Sequence, residues 1–224
     1  RAASFRVLGA LQARRAVPYL IRPALDASTE AGSAEAARQA LQRIVGDRPS
    51  RADAELFLSK RIRGMLGGEP PVRLAPDDTG ELWHWDAAKK MSVARAYPAH
   101  KLRVAEATRL ARELYRLSPE TSENRRLYIM TWLEDEKVLA GADQPLPRGD
   151  GTAAAEAAKL GVDTLEDALA FAMKQNRPLA ATAIVEVLGD IGTVELVANS
   201  SGGRGRPLGD ALGHRDRRLR FAAC

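Results

Sequence analysis

The sequence predicts an all-α protein, an α-solenoid of stacked helical hairpins with one small β-hairpin inserted near residues 80–97. Only 5% of the 224 residues are aromatic while 45% are hydrophobic, and alanine and leucine supply most of that fraction. This balance favours helices over sheets. Apolar residues also recur at helical spacing in several segments, a periodicity that a strand cannot use.

HEAT-like helical hairpins are predicted for residues 1–66. One apolar stripe falls at positions i, i+3, i+4, i+7 and i+8, and it consists of Val17, Leu20, Ile21, Ala24 and Leu25. Such a stripe is typical of a core-facing helix, and Pro18 fits its first turn, where the missing N–H costs nothing. Similar stripes at 3–11, 37–45 and 58–66 predict three more helices, with a glycine and proline cluster between the last two.

Residues 67–98 are predicted to form a linker followed by a β-hairpin. Glycines and prolines between 67 and 76 stop the preceding helix, and residues 81–85 and 91–97 then alternate as strands do. The hairpin contains three candidate protein-binding aromatic residues, Trp83, Trp85 and Tyr97. If Leu82 and His84 face outward, the tryptophans fix the hairpin onto neighbouring helices. The alternative is that the aromatic residues form a binding hot spot.

A tetratricopeptide-like helix pair is predicted for residues 99–141 and a second linker for 142–151. Between the two helices of the pair stand Ser118 and Pro119. Ser118 is expected to cap the second helix and Pro119 to begin it.

HEAT-like helices are predicted for residues 152–224. Thr164 stands three residues before Asp167, the spacing of a capping box, and Pro178 is expected to separate two helices. The chain begins directly on an apolar stripe and stops within another, at 221–224. We therefore expect an excerpt of a longer protein, with the last helical unit truncated.

Three stretches carry the pattern of a known repeat family. A Val-Leu-Gly sequence occurs at 7–9 and at 187–189, Ala-Val-Pro follows the first at 16–18, and residues 210–223 combine an Asp- and Arg-rich turn with a helix. These stretches resemble HEAT repeats, above all those of large bacterial proteins, and residues 111–119 are similar to the end of a tetratricopeptide motif. The resemblance implies a scaffold of stacked helix pairs that holds other proteins.

No catalytic residue, metal site or cofactor is predicted. His84, His100 and His214 lie in separate segments and outside any HExxH pattern. The acidic residues at 134–136 are expected on a solvated helix face. The glycine-rich run at 200–207 matches neither phosphate-loop signature, so a flexible loop between repeats is expected there.

The strongest basic cluster lies near the C-terminal end of the chain. It consists of Arg204, Arg206, Arg215, Arg217, Arg218 and Arg220. These arginines are the candidate contacts for an anion or a nucleic acid. Asp210 and Asp216 interrupt the cluster and no aromatic residue is interleaved for base stacking. Nucleic acid is therefore an alternative partner, not the favoured one.

The expected function is that of a non-catalytic helical-repeat scaffold whose partner is a protein or peptide. The alternatives are a nucleic-acid-binding HEAT protein that uses the Arg-rich end, and a HEAT-fold enzyme or enzyme subunit. No apolar stretch approaches the length of a membrane span and no signal-peptide pattern opens the chain, so a cytoplasmic location is expected. Because Cys224 is the single cysteine, no internal disulfide can form.

Overall fold

The computed structural model of the chain describes residues 1–71, 74–86, 88–191 and 207–224, and only the backbone at residues 84 and 85. Helices make up 66% of the chain, and one two-stranded antiparallel sheet accompanies them. The prediction of a helical protein with a small β-hairpin is confirmed. In the described ranges, no helix is both long enough and apolar enough to cross a membrane.

Four helices come before the hairpin: α1 (Ala2–Ala10), α2 (Val17–Leu25), α3 (Ala31–Val45) and α4 (Arg51–Leu66). The strands are β1 (Thr79–Asp86) and β2 (Met91–Pro98). The described helices after the hairpin are α5 (Ala99–Leu117), α6 (Ser122–Ala140), α7 (Ala153–Ala158), α8 (Val162–Lys174), α9 (Pro178–Ile191), α10 (Pro207–Leu212) and α11 (Arg217–Ala222).

Local sequence signals set several helix ends. The Ser50 hydroxyl accepts a hydrogen bond from the Asp53 N–H at 3.2 Å and caps α4. Gly46 ends α3 with φ at +85°, a left-handed conformation that favours glycine. Thr152 caps α7, where its hydroxyl accepts the Ala155 N–H at 3.3 Å. Each cap satisfies a backbone group that the helix itself leaves without a partner.

Two predicted helix starts are wrong. Helix α6 begins at Ser122 and not at Pro119, because the Ser118 hydroxyl donates to the Glu55 carboxylate of α4 instead of capping α6. Helix α8 begins at Val162, directly after Gly161 with its positive φ. Thr164 therefore lies inside the first turn of α8 and is not its N-cap residue.

The helices share one hydrophobic core. Helix α3 packs against α1 and α2, α4 packs against α5, and α5 and α6 pack as a pair. Helix α6 also contacts α7, α8 and α9, while α10 and α11 pack on α8 and α9 respectively. The stripe predicted for α2 is confirmed, because Val17, Leu20, Ile21 and Ala24 are all buried. The core is continuous from α2 to α11.

Gly9 allows α1 and α3 to approach closely. A Cβ atom added at Gly9 would lie 2.8 Å from Ala40 Cα, a backbone atom that cannot move aside alone. In an exposed helix interior, Gly→Ala normally stabilises by about 1 kcal/mol. At position 9 we expect the opposite sign, a net loss of about 1 kcal/mol in the free energy of unfolding, because overpacking costs more than the helix propensity returns.

Gly189→Ala in α9 is the matched control, since no atom lies within 4 Å of an added Cβ there. We expect it to stabilise by about 0.5–1 kcal/mol. Urea unfolding of both variants and the wild type measures the difference. Equal stabilisation by the two substitutions would contradict the close contact between α1 and α3.

Candidate functional site

The β-hairpin packs on α5 through both strands, and its inward face is the one that contains Leu82. Leu82 is 8% exposed whereas Trp83 is 60% exposed. The prediction that Leu82 faces outward while Trp83 packs onto the helices is therefore wrong. Successive strand residues point to opposite faces, so burying Leu82 against the helices places Trp83 toward solvent.

The three aromatic residues predicted for protein binding do not form one group. Tyr97 pairs with Gly80, and Leu82 pairs with Arg95, so Tyr97 and Leu82 lie on the same face of the hairpin. Both line a cavity next to α5 and α6, and Tyr97 is half-buried. The backbone of Trp85 pairs with Ser92, while its side chain is outside the described part of the structure.

The arginines of the C-terminal cluster that the structure describes are engaged within the protein. Arg218 forms an ion pair with Asp143, with its Nε 2.5 Å from Oδ1. Arg215 donates to the Asn176 side chain, and Arg220 donates to the carbonyl of His214 at 2.8 Å.

Two further observations concern the same cluster. Arg217 lies over the Phe221 ring, 5.1 Å from its centroid. The Arg218 guanidinium holds the pKa of the Asp143 carboxyl below its ordinary value. Arg204 and Arg206 lie outside the described residues. The arginines from 215 to 220 therefore point to several different contacts and do not form a single open basic patch.

A groove of about 730 Å³ lies between residues 142–145, α9 and α11. Pro145 and Phe221 contribute to its apolar walls, and Arg217 lies at its side. Thr182 also lines the groove, is 3% exposed, and has no hydrogen-bond partner for its Oγ1 among the described residues. The groove could accept an apolar segment that also carries a polar group.

Lys137 is the largest fully buried side chain and contacts the same groove. Its Nζ donates to the Glu186 carboxylate of α9 and, at 2.6 Å, to the Gln144 carbonyl. The second oxygen of Glu186 accepts the Leu146 N–H at 2.9 Å. This network holds the segment between α6 and α7 on α9, so its primary role is structural.

Glu134 is also buried, which contradicts the expectation of a solvated face at 134–136. Its carboxylate accepts two hydrogen bonds from Arg177, with N–O distances of 2.7 and 3.0 Å. Burial raises the pKa of Glu134, and the Arg177 guanidinium opposes that rise. Arg177 additionally donates to the Leu66 carbonyl at 3.1 Å. A bidentate Arg–carboxylate pair of this kind compensates the desolvation of both charges.

Asp135 is the one acid of this group whose carboxylate keeps a buried oxygen without a partner. Its Oδ1 accepts no hydrogen bond from the described residues. Burial, and then the neighbouring Glu136, raise the pKa of Asp135 to about 6. The sequence analysis missed this residue. The available signal was the apolar pattern of α6, in which Ile129 is buried besides Leu127 and Met130, as in a helix covered on more than one side.

The histidines do not converge on a common site. The His214 Nδ1 accepts the Asp216 N–H at 3.1 Å, and His100 is exposed at the start of α5. Within the part of the chain that the structure describes, no group of three or more His, Cys, Asp or Glu side chains is placed to hold a metal ion.

No known protein is similar enough to assign a family. Comparisons with protein-family models, with curated proteins and with solved structures found no match. The resemblance to HEAT repeats therefore stays a prediction from the sequence.

Asp135→Asn is expected to raise the free energy of unfolding above about pH 6 and to leave it nearly unchanged below pH 4. The pKa of Asp135 rises from 3.8 to about 6 in the folded protein, so the folded state holds a proton that the unfolded chain releases. The stability gained from that proton is present below pH 3.8 and is lost as the pH rises to about 6. Asn carries no charge, so the gain above pH 6 is about 2 kcal/mol after a discount for partial exposure.

Urea unfolding at a series of pH values, in phosphate-free buffer, measures this dependence. Asp150→Asn is the control, because Asp150 is an exposed loop residue, and its curve should run parallel to that of the wild type. Parallel curves for wild type and Asp135→Asn would contradict the desolvated state of this carboxyl group.

Proposed function

We propose that this chain is a helical interaction protein that holds a protein or peptide partner, and that the outward face of the hairpin around Trp83 contacts that partner. The observation that carries this proposal is the 60% exposure of Trp83 on a hairpin whose other face is packed on α5. A tryptophan that serves only as a core anchor would be buried.

The surroundings of Trp83 favour a flat contact surface. Its neighbour across the hairpin is Ala94, and the next residue on that face of β2 is Ala96, so small side chains flank the indole ring. Tryptophan is enriched among the residues that dominate interface energetics, because it buries a large rigid surface with little loss of side-chain entropy. This favours the hot-spot alternative for Trp83 over the packing role.

The resemblance to HEAT and tetratricopeptide scaffolds supports the same class of function. The packed pairs α5/α6 and α8/α9 are compatible with stacked helical hairpins, and we propose the solenoid arrangement on that ground. A nucleic-acid role is less well supported, because Arg215, Arg218 and Arg220 already contact groups within the protein. Phosphate contacts would have to compete with these partners.

The test is an affinity pull-down of the full chain, with and without nuclease, followed by binding measurements on the purified partner. Partners should survive nuclease treatment. We expect Trp83→Ala to weaken partner binding by about 10-fold or more, as truncation of an interface anchor does. A photo-crosslinking amino acid at position 83 should capture the same partner.

Leu56→Ala is the matched control, because Leu56 is 70% exposed on α4 and its truncation removes apolar surface elsewhere. Arg217→Ala with Arg218→Ala should change partner binding little, since rim charges contribute little. Loss of binding through the arginine substitutions, together with loss on nuclease treatment, would instead favour the nucleic-acid alternative.

A further inference from the structure

A small cavity of about 250 Å³ lies under the hairpin, separate from the outward face of Trp83. Leu82 and Tyr97 of the hairpin form one wall, and helices α5 and α6 form the others. Its size is below that of pockets for drug-sized ligands. It cannot admit a polymer backbone, but it has room for a small ion with a few water molecules.

Three cationic side chains of α5 line this cavity: Lys101, Arg109 and Arg112. They stand at i, i+8 and i+11 and therefore on one helix face. Among the described residues, Lys101 has no acidic partner. Arg109 lies only loosely beside Glu106, at 3.8 Å. The cavity therefore carries more positive than negative charge.

Asp135 faces these cations from α6, and it is the acid that lines the cavity. The Arg109 and Arg112 guanidinium groups are near enough to act on its charge. Nevertheless its buried Oδ1 has no hydrogen-bond partner in the described part of the chain. A buried acceptor of this kind is costly unless a donor reaches it. The cations and the carboxylate thus present separate requirements, for an anion and for a hydrogen-bond donor.

We propose that this cavity is a binding site for inorganic phosphate in its protonated form. Hydrogenphosphate meets both requirements in one small ion. Its P–OH group donates to Asp135 Oδ1, and its other oxygens accept charge-assisted hydrogen bonds from Lys101, Arg109 and Arg112.

The carboxylate gives the site a basis for selectivity. Sulfate has the same shape and charge but carries no proton at neutral pH. It would therefore place an oxygen against Asp135 without a hydrogen bond, and like charges would repel. A phosphomonoester dianion also lacks the P–OH group. Since the pKa of Asp135 is about 6, the carboxyl is ionised at neutral pH and can accept the proton of the ligand.

Isothermal titration of the full chain with inorganic phosphate tests the proposal, in a buffer free of phosphate and sulfate at about pH 7.5. We expect one site, with phosphate bound at least about 10-fold more tightly than sulfate, the worth of one hydrogen bond to a charged group. Glycerol 2-phosphate should bind more weakly than phosphate. Amide chemical-shift changes should concentrate at residues 97–112 and 135–139.

Two variants separate the charge from the selectivity. Asp135→Asn removes the repulsion of sulfate, so the preference for phosphate should fall to less than about 3-fold. Lys101→Ala should weaken both anions by about 10-fold and keep the preference. Lys60→Ala is the matched control, an exposed helical lysine on α4, and it should bind as the wild type does. Near-UV circular dichroism verifies that each variant is folded.

Three results would overturn the proposal. The first is the absence of saturable phosphate binding up to about 10 mM, a concentration at which even a weak site of a few kcal/mol is occupied. The second is equal affinity for phosphate and sulfate, or tighter binding of the ester, in the wild type. The third is an equal loss of affinity in Lys60→Ala and Lys101→Ala, which would indicate binding by overall charge.

Discussion

Helix α6 buries charged side chains, and much of the fold depends on how those charges are compensated. Helices α5, α7, α8 and α9 all pack around it, so Glu134 and Lys137 are almost inaccessible to solvent. Leaving either charge without a partner would cost several kcal/mol. Glu134 pairs with Arg177, which directly precedes α9, and Lys137 pairs with Glu186 within α9. Two ion pairs as well as apolar packing therefore fix α9 against α6.

The same ion pairs organise the segments that have no regular structure. Arg177 reaches past Glu134 to the last carbonyl of α4, and thus joins the first half of the chain to the second. Lys137 and Glu186 together bind backbone groups of Gln144 and Leu146, which holds the connection between α6 and α7. The Arg-rich end then packs over this connection through Arg218 and Asp143. Part of the basic cluster therefore serves the fold, which the sequence alone did not indicate.

The sequence was sufficient for elements that bury a single face. The stripes of α2, α3 and α5 predicted helices whose stripe residues are largely buried, and two-residue alternation predicted the hairpin. Alternation cannot tell which face of a hairpin is inward, because both faces have the same period. The choice depends on the shape of α5, so Leu82 and Trp83 were assigned to the wrong sides. The acids of α6 were missed because a helix covered on several sides has no single stripe to set them against.

Arg109 connects the two surfaces to which we assign functions. Its Nη2 donates to the backbone carbonyl of Trp83 at 3.3 Å, and the same guanidinium lines the cavity with Asp135. An anion in that cavity would draw on hydrogen-bond donors that also hold β1 against α5. Any change in the position of Arg109 on binding would therefore act on the backbone that carries the exposed indole ring. Linkage of this kind is reciprocal, so a partner bound at Trp83 would change the affinity of the cavity for an anion by the same factor.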